Sequence, residues 1–255
     1  TGLEMSTAPP LFEVRDLTAG TEAGQGNSIN ASGAVVGQAQ PTGAFLQAVL
    51  WPSGSSTPTA LASVIGQTTS VANGINDAGH LTTVAGFDIP GSATGGTAHF
   101  WNGATVSDIG KLGLGTPVGI LSSIGKAVNN FDEVVGNAWA SDAVTGNEEA
   151  FIWQGGTLSG LGLLSGCTES DAADINNNGF IAGHADTTLR FGTYIRVLVD
   201  SAFIYHPDFG MRALPKPEST ALLGGCRATA LNDHKNGNLI QVVGHCETTS
   251  GQRAI

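Results

Sequence analysis

The feature that most constrains the fold of this chain is an internal repeat of about fifty residues. An alanine followed by apolar residues and an aromatic recurs along the sequence. The four complete copies are Ala48-Val49-Leu50-Trp51, Ala98-His99-Phe100-Trp101, Ala150-Phe151-Ile152-Trp153 and Ala202-Phe203-Ile204-Tyr205. A fifth copy begins at Ala254-Ile255, so successive alanines are 50, 52, 52 and 52 residues apart. One such unit cannot bury its own hydrophobic face, so neighbouring units must stack.

Three further markers recur in step with the first. An aliphatic residue and an asparagine precede a turn in each unit, at Ile29-Asn30, Ile75-Asn76, Val128-Asn129, Ile175-Asn176 and Leu231-Asn232. An apolar pair and a glycine follow, at Val35-Val36-Gly37, Val84-Ala85-Gly86, Val134-Val135-Gly136, Ile181-Ala182-Gly183 and Val242-Val243-Gly244. The last marker follows the aromatic and is represented by Asp16-Leu17, Leu61, Asp108-Ile109-Gly110, Leu161-Gly162 and Leu214. Its first copy stands ahead of every other marker.

Each unit therefore supplies four short segments, named here a (ending at the Asn), b (ending at the Gly), c (the alanine-to-aromatic run) and d (the last marker). The segments are rich in β-branched and aromatic residues and are bounded by Gly, Asn, Asp or Pro, which is typical of strands. The a–b joints place Asn, Asp and Gly where hairpin turns need positive φ. Since no segment has a sustained 3.6-residue period, we expect almost no helix.

Four antiparallel strands per unit predict a five-bladed β-propeller, an all-β fold with four-stranded blades. The chain opens with a lone d segment and closes with a lone c segment. We therefore expect residues 11–255 to form a single propeller whose closing blade is split between 11–20 and 226–255, with 1–10 as an N-terminal extension. Such a clasp would remove exposed sheet edges. A solenoid is the alternative, but it gives no reason for a split unit.

Composition and charge exclude several classes of protein. Hydrophobic residues make up 41% of the 255 residues and charged residues 12%, which is unlike a disordered chain. The formal net charge of −11 disfavours binding to nucleic acid. No run of 18 apolar residues is present, so no membrane span is predicted.

The markers together resemble the HAF repeat of predicted bacterial extracellular proteins. The resemblance is carried by Ala172-Ala173-Asp174-Ile175-Asn176, Ala150-Phe151-Ile152-Trp153 and Asp108-Ile109-Gly110-Lys111-Leu112-Gly113, and it covers roughly residues 11 to 255. The histidine of the family triplet is replaced by Glu149 and Ser201. The resemblance implies a bacterial secreted or cell-surface protein with a propeller-like fold, and it implies no catalytic residue. Some relatives carry a C-terminal anchor, which would fit a native chain that continues past Ile255, where the fifth c segment stops short of its aromatic.

Three cysteines occur, at Cys167, Cys226 and Cys246. Cys226 and Cys246 flank a predicted hairpin at equal distances from its midpoint, so they should lie opposite each other on neighbouring strands. We predict a Cys226–Cys246 disulfide, which fits an oxidising compartment. Two alternatives stay open: three free thiols, or a pairing of Cys226 with Cys167 from the neighbouring blade.

The sequence offers little evidence for a metal site or a cofactor. His184 and His245 occupy equivalent positions after the glycine of segment b, but the other units have Gln38, Phe87 and Asn137 there. Two ligands do not make a metal site. The Asn-rich turns lack the bidentate Glu of a calcium loop, so turn chemistry explains them better. We predict no metal, no cofactor and no catalytic residue.

Glu169, Asp171 and Asp174 form the one acidic cluster that departs from the repeat. Five-bladed propellers include glycosidases, which need a pair of carboxylates around the substrate. These three residues are therefore candidate ligand-binding residues. A carbohydrate-active enzyme with carboxylates at the central channel is the alternative to a non-enzymatic protein.

Trp139 follows segment b of the third unit in an insert, where an aromatic could stack on a sugar or, as the alternative, pack against the sheet. The longest inserts are 38–47, 87–97, 137–148, 186–201 and 233–241; all but the last join b to c and should gather on one face. The sequence thus favours a secreted, non-enzymatic scaffold that binds a glycan or an extracellular protein through loops on one face. A structural subunit of an extracellular assembly is a further alternative. The protein is expected to be a monomer or a component of such an assembly.

Overall fold

In the computed structural model every regular element of the described residues is a β-strand. The structure describes residues 14–17, 21–41, 44–61, 69–85, 96–113, 123–140, 147–191, 194–216, 222–233, 239–248 and 251–254. The expectation of an all-β chain without helix is confirmed for these ranges. They also contain no helix long and apolar enough to cross a membrane. Residues 1–10, the predicted N-terminal extension, lie outside the described part.

The strands form five antiparallel sheets, one per unit, each a simple meander in chain order. Sheet 1 contains β1 (Thr21–Ile29), β2 (Val35–Pro41), β3 (Gln47–Trp51) and β4 (Thr59–Ala60). Sheet 2 contains β5 (Ser70–Ile75), β6 (Leu81–Ala85), β7 (Thr97–Trp101) and β8 (Val106–Gly110). Sheet 3 contains β9 (Ser123–Val128), β10 (Val134–Trp139), β11 (Glu148–Gln154) and β12 (Thr157–Gly160). Sheet 4 contains β13 (Glu169–Ile175), β14 (Ile181–Phe191), β15 (Tyr194–His206) and β16 (Gly210–Ala213), and sheet 5 contains β17 (Leu222–Leu231), β18 (Val242–Thr248) and β19 (Gly251–Ala254).

Segments a, b, c and d are thus the four successive strands of sheets 1 to 4, and a, b and c are the three described strands of sheet 5. Of the N-terminal segment 11–20 that was expected to complete sheet 5, the structure describes only 14–17, which is irregular. Leu17 of this segment packs against the buried cluster of Ala39, Val49 and Trp51 in sheet 1, and its carbonyl oxygen accepts a hydrogen bond from Trp51 Nε1 (2.8 Å).

The strand register corrects one marker of the sequence pattern. Ile75 pairs with Leu81 and Ala72 pairs with Thr83, as Gly125 pairs with Gly136 in sheet 3. Thr83 therefore occupies the glycine position of sheet 2, three residues before Gly86, which lies outside the described residues. The other sheets require glycine at this position because a bulge brings the backbone of strand a close to strand b. In sheet 3, for example, a Cβ on Gly136 would overlap the carbonyl oxygen of Ile124.

One b–c insert is a hairpin arm rather than a loop. β14 and β15 remain paired as far as Phe191 and Tyr194, so most of residues 186–201 extends the sheet. The other b–c inserts fall partly outside the described residues, and so does the tip of 233–241. The expected cluster of loops on one face therefore stays a prediction.

Apolar side chains form five clusters, of which four lie between successive sheets from sheet 1 to sheet 5 and one lies between the N-terminal segment and sheet 1. Each cluster includes the d-segment aliphatic residue that precedes the sheet: Leu17 at sheet 1, Leu61 at sheet 2, Ile109 at sheet 3, Leu161 at sheet 4 and Leu214 at sheet 5. The aliphatic residue of each d marker thus packs against the sheet that follows it, and we call this residue the plug of that sheet.

Hydrogen bonds repeat across the same boundaries. The amide of the alanine that opens segment c donates to a serine Oγ of the next sheet, in Ala48–Ser70 (2.9 Å), Ala98–Ser123 (3.0 Å) and Ala150–Ser170 (2.9 Å). Each of these serines pairs in register with an alanine of strand b.

Sheet 5 replaces that serine–alanine pair by cysteines. Cys226 and Cys246 are register partners and are joined by a disulfide. This is the predicted pairing, and it leaves Cys167 outside any disulfide. The disulfide links strands a and b of the last sheet, at the position where sheets 2, 3 and 4 have the serine that accepts an amide of the preceding sheet.

Candidate functional site

The a–b turns of the five sheets are locked by the asparagine of the repeat. In each turn the side-chain oxygen of this residue accepts a backbone amide further along its own loop: Asn30 from Ala34, Asn76 from His80, Asn129 from Glu133, Asn176 from Phe180 and Asn232 from Gln241. This is the local capping chemistry for which asparagine is favoured in turns.

The amide nitrogen of the same asparagine side chain connects one sheet to the next. The Nδ2 group donates to the backbone oxygen of the following asparagine in four steps: Asn30 to Asn76 (3.0 Å), Asn76 to Asn129 (2.9 Å), Asn129 to Asn176 (3.2 Å) and Asn176 to Asn232 (3.1 Å). At the last turn Asn232 Nδ2 donates to Gln241 Oε1 of its own loop instead. Asparagine is needed at this position because only a side chain with both a donor and an acceptor performs both tasks.

The next residue in each turn builds a second chain of hydrogen bonds. Asp77 Oδ1 accepts the amide of Ala31 (2.9 Å), and Asp77 donates its own amide to Asn130 Oδ1 (2.9 Å). The amide of Asn130 donates to Asn177 Oδ1 (2.8 Å), and that of Asn177 to Asp233 Oδ1 (2.6 Å). We call these five residues (Ala31, Asp77, Asn130, Asn177 and Asp233) the turn rim.

The turn rim surrounds a polar pocket of about 160 Å³ to which residues of all five units contribute. Ile29, Ile75, Val128 and Ile175 also line this pocket, together with Asn30, Asn76 and Asn129. The amide and carboxylate groups around it make this a candidate site for a ligand rich in hydroxyl groups. From the sequence these turns were interpreted as local structure and not as a site.

Asp171 of sheet 4 forms an ion pair with a lysine of sheet 3, and both residues lie on strand a of their sheets. Lys126 Nζ of β9 lies 2.6 and 2.5 Å from the two carboxylate oxygens of Asp171 in β13. Lys126 stands at the bulge of its strand, where Asn27 and Asn73 of sheets 1 and 2 donate their side-chain amides to the next sheet. Asp171 is therefore paired with a cation rather than placed as an isolated acid.

Asp174 joins sheet 4 to sheet 5. Its Oδ2 accepts the amide of Leu231 in β17 (2.9 Å) and its Oδ1 accepts the amide of Ile175 (2.9 Å). Burial raises the pKa of this carboxyl, the two amide hydrogen bonds act in the opposite direction, and the charge of Asp233 adds to the increase. Its bonds to the backbone of the next strand assign Asp174 a structural role between sheets.

Glu169 opens β13 and pairs in register with Asp186. Asp171 and Asp174 lie on the same strand, so the three predicted acids share one element but make different contacts. The arrangement does not favour the pair of flanking carboxylates that a glycosidase needs.

The interpretation of Trp139 as a loop aromatic available to a sugar is wrong. β10 continues past Gly136 and pairs as far as Trp139 with Glu148 of β11, so the residue belongs to the sheet. Its side chain is only 1% exposed. The strand is longer than the repeat pattern indicates, and the ring is part of the core.

His184 and His245 lie opposite Asp171 and Arg227 on the strand pairs of sheets 4 and 5. Within the described ranges no three potential ligands among His, Cys, Asp and Glu come together in a metal-binding group.

Two residues of the third a–b turn are not among the predicted ligand-binding residues. Phe131 is 66% exposed next to the turn rim. Asp132 has φ of 62°, in a turn position where Gly33, Gly79 and Gly179 have φ of 83°, 82° and 78°. The signal that could have found them is the loss of the repeat glycine at residue 132.

Comparison with known proteins gives the fold alone. No family model matches the chain, and no curated protein matches it. A solved structure from a structural and mechanistic study of two prolyl endopeptidases matches with a TM-score of 0.55 and 8% identity. The match covers 92% of this chain but 33% of the other, so this chain spans about a third of that protein's length. The matched part is the β-propeller domain, and the fold of this chain is accordingly propeller-like.

Proposed function

We propose that this protein is a closed five-bladed β-propeller, a secreted non-enzymatic scaffold that binds a glycan in the pocket inside the turn rim. The observation that carries the proposal is the convergence of turns from all five units on one polar pocket. A binding site that needs every unit gives a reason for five similar blades.

Leu17 supports closure of the ring. Each sheet buries an aliphatic plug from the segment before it, and sheet 1 receives its plug from the N-terminal segment. In a closed ring that segment is the d strand of the fifth blade, and Leu17 lies where this strand would meet sheet 1. The missing fourth strand of sheet 5 would then be supplied by residues 11–20.

Exposed apolar residues on the two end sheets also support closure. Ile29 of sheet 1 is 66% exposed, whereas its equivalents Ile75, Val128 and Ile175 are 6%, 8% and 6% exposed. Val243 of sheet 5 is 54% exposed, whereas Val36 and Val135 are fully buried. Closure would bring these two faces together and remove both residues from water, which is favourable by the hydrophobic effect.

The chemistry of the turn rim supports a glycan as the ligand. Asp and Asn side chains supply acceptors and donors at the mouth of the pocket, and sugar hydroxyls both donate and accept. The acids of β13 are engaged by Lys126 and by backbone amides, so a carbohydrate-active enzyme is less well supported. A disulfide fits an oxidising compartment and supports secretion, and the resemblance to HAF repeats points the same way.

The test is a glycan array probed with the intact protein and with two variants. The double variant Asp77→Asn/Asp233→Asn keeps the size of both side chains but turns one acceptor oxygen of each carboxylate into an amide donor, which faces the side-chain amide of Asn130 or Asn177. We expect it to lose about tenfold or more in affinity, since a polar site rejects a ligand whose hydrogen bonds it cannot match. Thermal melting confirms that the variant is folded.

The matched control is Phe45→Ala, because Phe45 is 69% exposed in the b–c connection at the other end of sheet 1. This variant should bind as the parent does. Loss of binding in Phe45→Ala with full binding by the rim variant would move the site to the b–c loops. Absence of binding by the parent protein to every glycan on the array would overturn the proposed glycan binding.

A further inference from the structure

The exposed phenyl ring beside the turn rim is held by a turn that departs from the repeat. Phe131 follows Asn130, which lines the pocket; the equivalent residues are Ser32, Ala78 and Asn178 in units 1, 2 and 4 and His234 in unit 5. Among the first four units only the third has an aromatic residue at this position. A phenyl ring next to this pocket offers an apolar contact that the amide and carboxylate groups of the turn rim do not provide.

Asp132 adopts a backbone conformation that the other turns give to glycine. Its φ of 62° lies in the left-handed region, where an L side chain is strained. Such strain persists only where the surroundings hold it, and it concentrates at functional sites. Here the carboxylate is held from the neighbouring sheet: Oδ1 accepts hydrogen bonds from Asn76 Nδ2 (2.9 Å) and His80 Nδ1 (2.7 Å).

The turn is also fixed on its other side. The amide of Asn130 donates to Asn177 of sheet 4, and its side-chain amide donates to Asp77 of sheet 2 (2.8 Å). The amide of Phe131 donates to Asn129 Oδ1 (3.0 Å). The residues before and after Phe131 are thus bound to sheets 2 and 4, so the backbone that carries the ring is fixed before a ligand binds.

We propose that Phe131 is the aromatic anchor of the glycan site and that Asp132 is the residue that positions it; this rests on the glycan-binding function proposed above. The ligand class follows from the pair of surfaces. Amides and carboxylates of the turn rim bind hydroxyls, and the phenyl face packs on the C–H face of a sugar ring. The site therefore takes a pyranose, and a linear polyol with the same hydroxyls but no ring face binds poorly.

The positioning role of Asp132 is tested without a ligand. A nitroxide label on Phe131→Cys, in a Cys167→Ser background, reports the mobility of residue 131 by electron paramagnetic resonance. Asp132→Gly should narrow the spectrum, because the glycine relieves the strain but removes the bonds to Asn76 and His80. Asp132→Asn keeps a side-chain oxygen and tolerates positive φ, so it should leave the spectrum unchanged. Equal spectra for all three would overturn the positioning role.

The anchor is tested by calorimetric binding of β-1,4-linked hexasaccharides of glucose, N-acetylglucosamine and mannose, with sorbitol as the linear polyol. We expect Phe131→Ala and Asp132→Gly to lower affinity about tenfold, Asp132→Asn to stay within about threefold, and sorbitol not to compete. Full binding by Phe131→Ala, with loss in Asp77→Asn/Asp233→Asn, would overturn the anchor and leave the glycan site standing. No binding by the parent would overturn both, while the resonance experiment still decides what Asp132 does.

Discussion

Asp174 was predicted as a ligand-binding residue, but its carboxylate connects the first strands of sheets 4 and 5 by a hydrogen bond. Its carboxylate accepts the amide of Ile175 in its own strand and that of Leu231 in β17. Ser28 of sheet 1 has the equivalent contact, since its Oγ accepts the amide of Ile75 in sheet 2 (3.4 Å). A serine and an aspartate thus perform the same task at the same place in two units. Only the aspartate carries a titrating charge, so only it makes the joint between sheets sensitive to pH.

The pH dependence follows from the raised pKa of Asp174. Between the unfolded pKa, about 3.9, and the higher folded pKa, the folded state binds more protons than the unfolded state. This contribution to stability is therefore greatest at low pH and is lost as pH rises through the folded pKa. Asp174→Asn lacks it, so the variant should gain stability relative to the parent between pH 3 and pH 7.

Urea unfolding of both proteins at the two pH values measures this change. The loss of one amide hydrogen bond in the variant is independent of pH and cancels in the comparison. A variant that loses stability relative to the parent as pH rises would show that the carboxylate is stabilised in its charged form.

At the scale of single elements, the a–b turn is the unit that the sequence describes best. The aliphatic-Asn marker predicted its place in all five units and the Gly marker in four, since Thr83 has the glycine position in sheet 2. What the pattern did not reveal is that Asn30, Asn76, Asn129 and Asn176 each bond to the next sheet as well as to their own turn. Spacing along the chain carries no information on which atom faces the next unit. The length of β10 was missed for a related reason: Trp139 looks like an insert until its partner Glu148 is known.

Asn176→Asp tests the double role of the repeat asparagine. The carboxylate keeps the acceptor for the amides of Asn178 and Phe180, but it cannot donate to the backbone oxygen of Asn232. Asn176 is buried, so leaving that carbonyl opposite a carboxylate should cost about 2–3 kcal/mol in the free energy of unfolding.

Asn102→Asp is the matched control. The Oδ1 atom of Asn102 accepts the amides of Ala104 and Thr105 in the exposed c–d turn of sheet 2, and aspartate does the same. Its substitution should change the free energy of unfolding by less than about 0.5 kcal/mol. Equal effects of the two substitutions would mean that the bond between sheets contributes nothing.

At the scale of the whole molecule, the repeat gives the first three boundaries between sheets the same serine hydrogen bond, to Ser70, Ser123 and Ser170. At the fourth boundary Cys226 stands in place of the serine. In sheet 1 the equivalent residue is Gly24, and Asn232 of sheet 5 donates within its own loop. The sequence predicted five units and a split last unit, and five sheets packed in order are what the structure has. Whether the five sheets close into a ring follows neither from the sequence repeat nor from the strand pairing within each sheet, because it depends on one contact between distant ends of the chain.

Charged substitutions on the two end sheets decide whether the ring closes. Ile29→Asp and its equivalent Ile75→Asp place a carboxylate at the same point of sheets 1 and 2. Ile75 is buried between sheets, so Ile75→Asp should cost about 3 kcal/mol or more. If sheet 5 covers Ile29 in a closed ring, Ile29→Asp should cost nearly as much, and Val243→Asp should do the same from the other side. An Ile29→Asp variant as stable as the parent, beside a destabilised Ile75→Asp, would mean that the fifth sheet does not pack on the first and that the five sheets form an open arc.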